Sequence, residues 1–284
     1  MLSLTKRMQS YISAALKDDF TREAVFADFS HTFGYMGMPE KEAQNLTSHI
    51  MALLEDIEEL NIAEISIYTM LNAAPCSAKN PIPVTDVIDH MLTGRAEKIF
   101  EQTYQHLSDI KGKIIDFGAG DGQVTQLMAN SGLDIQGIDV RAYKAPNITV
   151  KIDQFDGGRT KFAHQFFKAA LVTNVLHHEI NNEKCLSELS RIVSDRLVVV
   201  ETVPVGATPD DIEKDRLRSF MNDYFYNRLL HDPKFDVPVP GTYETPEGWI
   251  KRFEKHGWNA IHSENLGIDQ PVIQDTHHLL IFER

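Results

Sequence analysis

An α/β fold with a mostly parallel sheet, preceded by an all-α segment, is the class this 284-residue sequence predicts. Short, almost wholly apolar runs alternate with helical periodicity from about residue 114 onward, the pattern of strands covered on both faces by crossover helices. One run opens directly into a glycine turn, Ile115-Asp116-Phe117-Gly118-Ala119-Gly120-Asp121-Gly122. Residues 1 to about 110 carry only helical stripes, and 42% apolar against 24% charged residues is the composition of an ordinary globular protein.

The stripes come first along the chain. Leu4, Met8, Tyr11, Ile12 and Ala15 form one, Leu46, Ile50, Leu53, Leu54 and Ile57 a second, and Ile99, Phe100, Tyr104 and Leu107 a third; each needs a partner surface. Three prolines between Pro75 and Pro83 mark the linker, and Thr85 or Thr93 is placed to cap helices that lead into the sheet. The expected boundaries are a helical domain over 1–94 and a sheet domain over 95–284. Such a helical domain either packs or dimerises, giving a homodimer, or closes as a lid that keeps water from a ligand.

At the glycine turn a buried strand must bend sharply into a helix, and glycine both tolerates positive φ and lets a ligand press against bare backbone. The spacing is Gly118-x-Gly120-x-Gly122, with Gln123 where a dinucleotide fingerprint has its third glycine. Asp121 inside the loop suits an ammonium group better than a pyrophosphate. Val124, Leu127 and Met128 supply the following helix, up to Ser131-Gly132. A second strand from about Ile135 then brings Asp139 to its tip, 21 residues beyond Gly118, where a βαβ unit sets a carboxylate against ribose hydroxyls.

With these residues the turn resembles motif I of class I S-adenosylmethionine-dependent methyltransferases of the small-molecule type, and the order of later segments agrees over residues 95–284. The resemblance implies a Rossmann-like, seven-stranded sheet with helices on both faces and S-adenosylmethionine as cofactor. It further implies that Asp116, Gly118, Ala119 and Gly120 line the donor, with Asp139 and Val140 beside its ribose. Ile148–Ile152 reads as a third strand that delivers Asp153 and Gln154 to the adenine. The run from Ala169 to Thr173 is a fourth strand whose end, Asn174, lies by the methionine part of the donor. Arg95 is a candidate for the donor carboxylate, which a guanidinium binds bidentately.

Asn182 to Ile192 is an amphipathic helix, and Leu197–Glu201 a fifth, apolar strand. An insertion over about 204–245 follows, with a charged helix from Asp210 to Arg218 and the cluster Phe220, Asn222, Tyr224, Phe225, Tyr226 and Asn227. Thr245-Pro246-Glu247 opens a helix with a cap and proline, and Ile261–Gly267 with His277–Phe282 finish the sheet.

Methyl transfer from a sulfonium is an in-line displacement, so a protein must mainly align the acceptor and remove its proton if it has one. His177 and His178, directly after the fourth strand, are the candidate bases, because a free imidazole titrates near neutral pH. Glu179, Tyr224 and Tyr226 are candidates on the acceptor side, whereas His277 and His278 read as decoration of the last strand. The magnesium-dependent subgroup expects an acid where Asn174 stands, and no H-E-x-x-H spacing occurs, so no metal is expected.

The expected function is transfer of a methyl group to an O, N or C atom of a small molecule. Rivals are intramolecular cyclisation or aminocarboxypropyl transfer from the same donor, a nicotinamide oxidoreductase, which Gln123 disfavours, and a non-catalytic donor-binding subunit. A net charge of −13, with 8 basic against 16 acidic residues in 1–110 and 20 against 25 in the rest, argues against nucleic acid and against anionic membranes as partners. Cys76 and Cys185 have no metal or disulfide spacing, no stretch is a signal peptide, and no run is long enough to span a membrane. A cytoplasmic protein is the expectation.

Overall fold

A computed structural model describes residues 3–55, 59–77, 80–91, 94–141, 144–232 and 236–284. Ile57 of the second stripe and Thr93 lie outside the described residues. The chain divides into two units, Met1–Thr93 with Val203–Tyr243 and Ile268–Thr276, and Gly94–Thr202 with Glu244–Gly267 and His277–Arg284. The helical unit is therefore assembled from three stretches of chain, and the insertion after the fifth strand belongs to it.

In the helical unit are α1 (Leu4–Lys17), α2 (Asp19–Tyr35), α3 (Glu40–Glu55) and α4 (Leu60–Ala73), with the first expected stripe on α1 and the second on α3. Ser3 and Asp18 cap the first two with side-chain oxygens that accept from Lys6 and Thr21 N–H groups. The proline segment is a short antiparallel hairpin, β1 (Pro75–Ser77) and β2 (Asn80–Pro83), where a linker was expected. Thr85 lies inside α5 (Val84–Met91), and its hydroxyl donates to Asn72 Oδ1 at 2.8 Å, so it caps nothing.

After the fifth strand of the sheet, the helix expected to end at Arg218 continues as α9 (Pro209–Tyr224) and then as a π-helix, Phe225–Leu229. Thr208 and Asp211 form a reciprocal capping box at its start. Its aromatic cluster continues the helix because Phe220, Met221, Tyr224 and Phe225 are buried in one core with Phe29, Phe33 and Tyr243. Phe225 stacks on Phe29 with ring centroids 3.9 Å apart. Burying such rings against the core carries the helix past Arg218.

The sheet unit opens with α6 (Arg95–Thr103), whose N-cap is Gly94, and continues with β3 (Ile114–Phe117), α7 (Gln123–Asn130), β4 (Ile135–Asp139) and β5 (Ile152–Gln154). Next come β6 (Phe167–Thr173), α8 (Asn182–Ile192), β7 (Val193–Thr202), α10 (Pro246–Lys255), β8 (Asn259–Gly267) and β9 (His277–Glu283). The strand order is β5-β4-β3-β6-β7-β9-β8, with the first five parallel and β9 antiparallel to both of its neighbours, β7 and β8. The third strand of the sheet is shorter than the apolar run that announced it. Thr149 and Val150 N–H groups donate to the side-chain oxygen of Gln126, at 2.8 and 3.0 Å, and pair there in place of a strand ladder.

Candidate functional site

Successive strands run outward in one direction from β3 to β5 and in the other from β6 to β7, so the topological switch falls between β3 and β6. A crevice opens at the carboxyl ends of the strands at such a switch. Asp116 and the glycine turn close β3 on one side of it, and Asn174 closes β6 on the other.

Gly118, Gly120 and Gly122 all have positive φ, at 84, 53 and 85°. A Cβ on Gly118 would stand 2.2 Å from a Val175 methyl, and one on Gly122 would stand 2.4 Å from Ile152 Cδ1, so those two glycines serve close packing. A Cβ on Gly120 would meet nothing within 4 Å, which leaves that backbone open to a ligand. Gly118 and Ala119 N–H groups donate to Ile138 O at 2.8 and 3.0 Å, tying the turn to β4.

Asp139, at the tip of β4, accepts from Gly120 N at 2.8 Å and from Arg141 N at 3.0 Å. It holds the turn in shape, and a carboxylate has lone pairs beyond these two bonds for ribose hydroxyls. Val140 beside it is 42% exposed, an apolar surface next to that carboxylate. Gln154 is paired in register with Asp139 on the adjacent strand, and its amide donates to Val140 O at 3.0 Å. Asp153 is engaged otherwise: partial burial raises its carboxyl, yet Lys151 at 2.8 Å and Lys161 at 3.2 Å hold it below the usual carboxylate range. Of this expected adenine pair, Gln154 is the exposed one.

Asp116 is 1% exposed; its Oδ2 accepts from the Thr125 hydroxyl at 2.6 Å, while Oδ1 is buried without a partner. Asn174 has φ +53°, rare outside glycine, and its buried Oδ1 also lacks a partner. Two orphaned acceptors at adjacent strand ends are what an ammonium would satisfy, since a buried acceptor left unmade costs about 1–3 kcal/mol. Arg95 Nε, at the start of α6, is a buried donor without a partner and fits a carboxylate. Open backbone at Gly120, the carboxylate of Asp139 and this set of unpaired groups suit a nucleoside bearing an amino acid.

After Asn174 the chain turns through a 3-10 segment, Leu176–His178, organised by Glu201. Glu201 is the acid near the end of the apolar run in β7 and is fully buried. Its Oε1 accepts from Val175 N at 2.8 Å and Leu176 N at 2.6 Å, and its Oε2 lies 2.6 Å from His177 Nδ1. A carboxylate partner assigns a ring proton to Nδ1. His178 stacks on His177 with centroids 4.2 Å apart, and burial raises the Glu179 carboxyl against the pull of Lys184.

Tyr224 and Tyr226 belong to the helical unit and are buried there, the hydroxyl of Tyr224 donating to Glu64 at 3.1 Å. His278 accepts from or donates to Ser263 at 2.8 Å across the β8–β9 pair, consistent with a place in the strand. Both cysteines are free and buried, and burial lifts the Cys185 thiol far out of the reactive range. Glu201 and Thr125 went unread in the sequence. The signal for Glu201 was present: a lone acid within an otherwise apolar buried strand needs a partner.

A family model described as a methyltransferase domain matches residues 90–263, more than half of the chain. The chain belongs to this family, the class I methyltransferases that use S-adenosylmethionine. No protein with a curated description matches it. Among solved structures it is similar to geranyl diphosphate methyltransferase in complex with its donor, at 12% identity over 66% of this chain and 85% of that one, TM-score 0.49. It is also similar to an S-adenosylmethionine-dependent methyltransferase from Mesorhizobium loti, at 12% identity over 66% and 98%, TM-score 0.48. A third likeness is to a Bacillus halodurans methyltransferase, at 10% identity over 64% and 97%, TM-score 0.47. Among the described residues no helix is long and apolar enough to cross a membrane.

Proposed function

We propose that this enzyme methylates a hydroxyl oxygen of a small molecule, with His177 as the general base and Glu201 as the group that positions it. The observation that carries the proposal is the buried 2.6 Å contact between His177 Nδ1 and Glu201 Oε2. An acceptor hydroxyl must lose its proton as it attacks, whereas a carbon or nitrogen that attacks as a neutral nucleophile does not need a base at that moment.

S-adenosylmethionine supplies a methyl group already made electrophilic by the sulfonium. Asp139 and Gln154 would hold its ribose and adenine, Val140 would pack beside them, and Asp116, Asn174 and Arg95 would hold its amino-acid end. Gly118, Ala119 and Gly120 would shape the backbone against it. His177 Nε2 would accept the hydroxyl proton as the acceptor oxygen bonds to the methyl carbon and the carbon–sulfur bond breaks, S-adenosylhomocysteine leaving with that electron pair. The resulting imidazolium is stabilised by the Glu201 carboxylate, which cannot leave because two backbone N–H groups fix it. Glu179 and His178 stand next along the chain, at the acceptor side. Tyr224 packs within the helical unit. An acidic surface and two buried thiols suit an uncharged or cationic small-molecule acceptor in a reducing, cytoplasmic compartment.

The test is a panel of phenols, alcohols, amines and carbon acids incubated with labelled donor, with product identified by mass spectrometry and NMR. An O-methyl product that disappears with His177→Ala supports the proposal. A product methylated on carbon, or an O-methyl product formed at the parent rate by His177→Ala, refutes it.

A further inference from the structure

The glycine turn gathers three acids, Asp116, Asp121 and Asp139. These acids accept from the Thr125 hydroxyl, the Gly120, Gln123 and Arg141 backbone N–H groups, and the Gln123 amide. Asp116 is the one buried among them, with a single hydrogen bond and an Oδ1 that has no donor. Its neighbours in register are Gly137 on β4 and Leu171 on β6, and β6 presents only apolar residues from Ala169 to Val172, so no charge on either strand compensates it. α7 offers Thr125 and nothing charged that pairs with it. An isolated ionised carboxylate in such a place is unfavourable, and a carboxylic acid is the stable form.

We propose that Asp116 holds a proton in the donor-free enzyme and gives it up to solvent when the donor's ammonium arrives, so that donor binding expels one proton and tightens as pH rises. The proposal rests on the glycine turn being the donor site. The balance is simple: the O–H bond of the acid breaks, the proton leaves to buffer, and the carboxylate accepts N–H bonds from the ammonium. Burial pushes this carboxyl up to about 7, the Thr125 hydroxyl opposing and Asp139 and Asp121 adding to the rise. A free protein that binds this proton more tightly than the complex loses affinity as pH falls.

Calorimetry with S-adenosylhomocysteine, which carries the ammonium and undergoes no turnover, tests this in two buffers of different ionisation enthalpy. Binding is expected to be about tenfold tighter at pH 8 than at pH 6, with close to one proton released at pH 6. 5′-Methylthioadenosine keeps the adenosine and lacks the ammonium, and should bind without releasing a proton. Asp116→Asn should bind S-adenosylhomocysteine with no pH dependence between 6 and 8. Equal affinity of the parent at both pH values with no proton exchange overturns the proposal while leaving the donor site standing. A release that persists in Asp116→Asn, or that accompanies 5′-methylthioadenosine equally, also overturns it. Failure of both ligands to bind at any pH overturns the donor site itself.

Discussion

Replacing Glu201 by Gln separates the positioning of His177 from its mere presence. The amide oxygen can keep the bonds from Val175 and Leu176, which Oε1 makes at 2.8 and 2.6 Å, so the turn should hold. The amide nitrogen then faces His177 Nδ1 at the 2.6 Å position and must donate, which forces the ring proton onto Nε2. A base with its proton on the wrong nitrogen is no base. The chemical step should therefore slow by roughly 10²–10⁴-fold, the range expected for a positioned general base. Loss of the charged bond should also lower stability by about 1.5–3 kcal/mol. Single-turnover methyl transfer measures the first quantity, chemical denaturation the second, and calorimetry with S-adenosylhomocysteine should show donor affinity within threefold of the parent. Residues that act as a unit are not additive, so Glu201→Gln combined with His177→Ala should be no slower than His177→Ala alone. A Glu201→Gln enzyme that turns over at the parent rate, while His177→Ala is impaired, would refute the positioning argument. So would a rate loss matched by loss of folded protein.

Two further outcomes are expected. Asp275 in the helical unit is buried, and burial pushes its carboxyl up to about 8, a bond from Asn222 opposing and Asp223 and Asp28 adding to the rise. The unfolded chain then binds fewer protons than the native one between about pH 4 and 8, so stability falls as pH rises, by up to about 1.4 kcal/mol per unit; unfolding curves of parent and Asp275→Asn across pH 5–8 should show the variant without that part of the slope. Gly118→Ala and Gly120→Ala should fail differently. Both pay about 1–2 kcal/mol for a left-handed Cβ, but only the first also clashes with Val175, so it should lose stability most, while Gly120→Ala, whose new methyl enters open space, should lose donor affinity most; a Gly120→Ala protein that binds S-adenosylhomocysteine like the parent would count against an open donor cradle there.

Local pattern placed most strand ends of the sheet unit, and the seven-stranded architecture came from the family resemblance. The apolar runs ending at Phe117, Asp139, Thr173 and Thr202 each place a polar or glycine-bearing end at one edge of a parallel sheet, because strands buried on both faces can change character only at their tips. For that reason Asp116, the glycine turn, Asp139 and the His177-His178 pair were legible by number, and α8 begins and ends where its stripe does. Pairings between distant residues were not legible. Glu201 reaches His177 across 24 positions because β6 and β7 lie side by side, and Thr125 meets Asp116 because α7 folds back on β3. Tertiary packing also decided the length of α9 and its π-turn, where buried aromatics carry the helix past Arg218, and it drew the 203–243 stretch into the helical unit. Gln126 shows the same rule in miniature: its side chain takes the N–H groups of Thr149 and Val150 and shortens a strand that periodicity had drawn longer. Periodicity reports which face of an element is buried, but a hydrogen bond or an ion pair between elements depends on which neighbour the fold brings there, and only the folded chain contains that information.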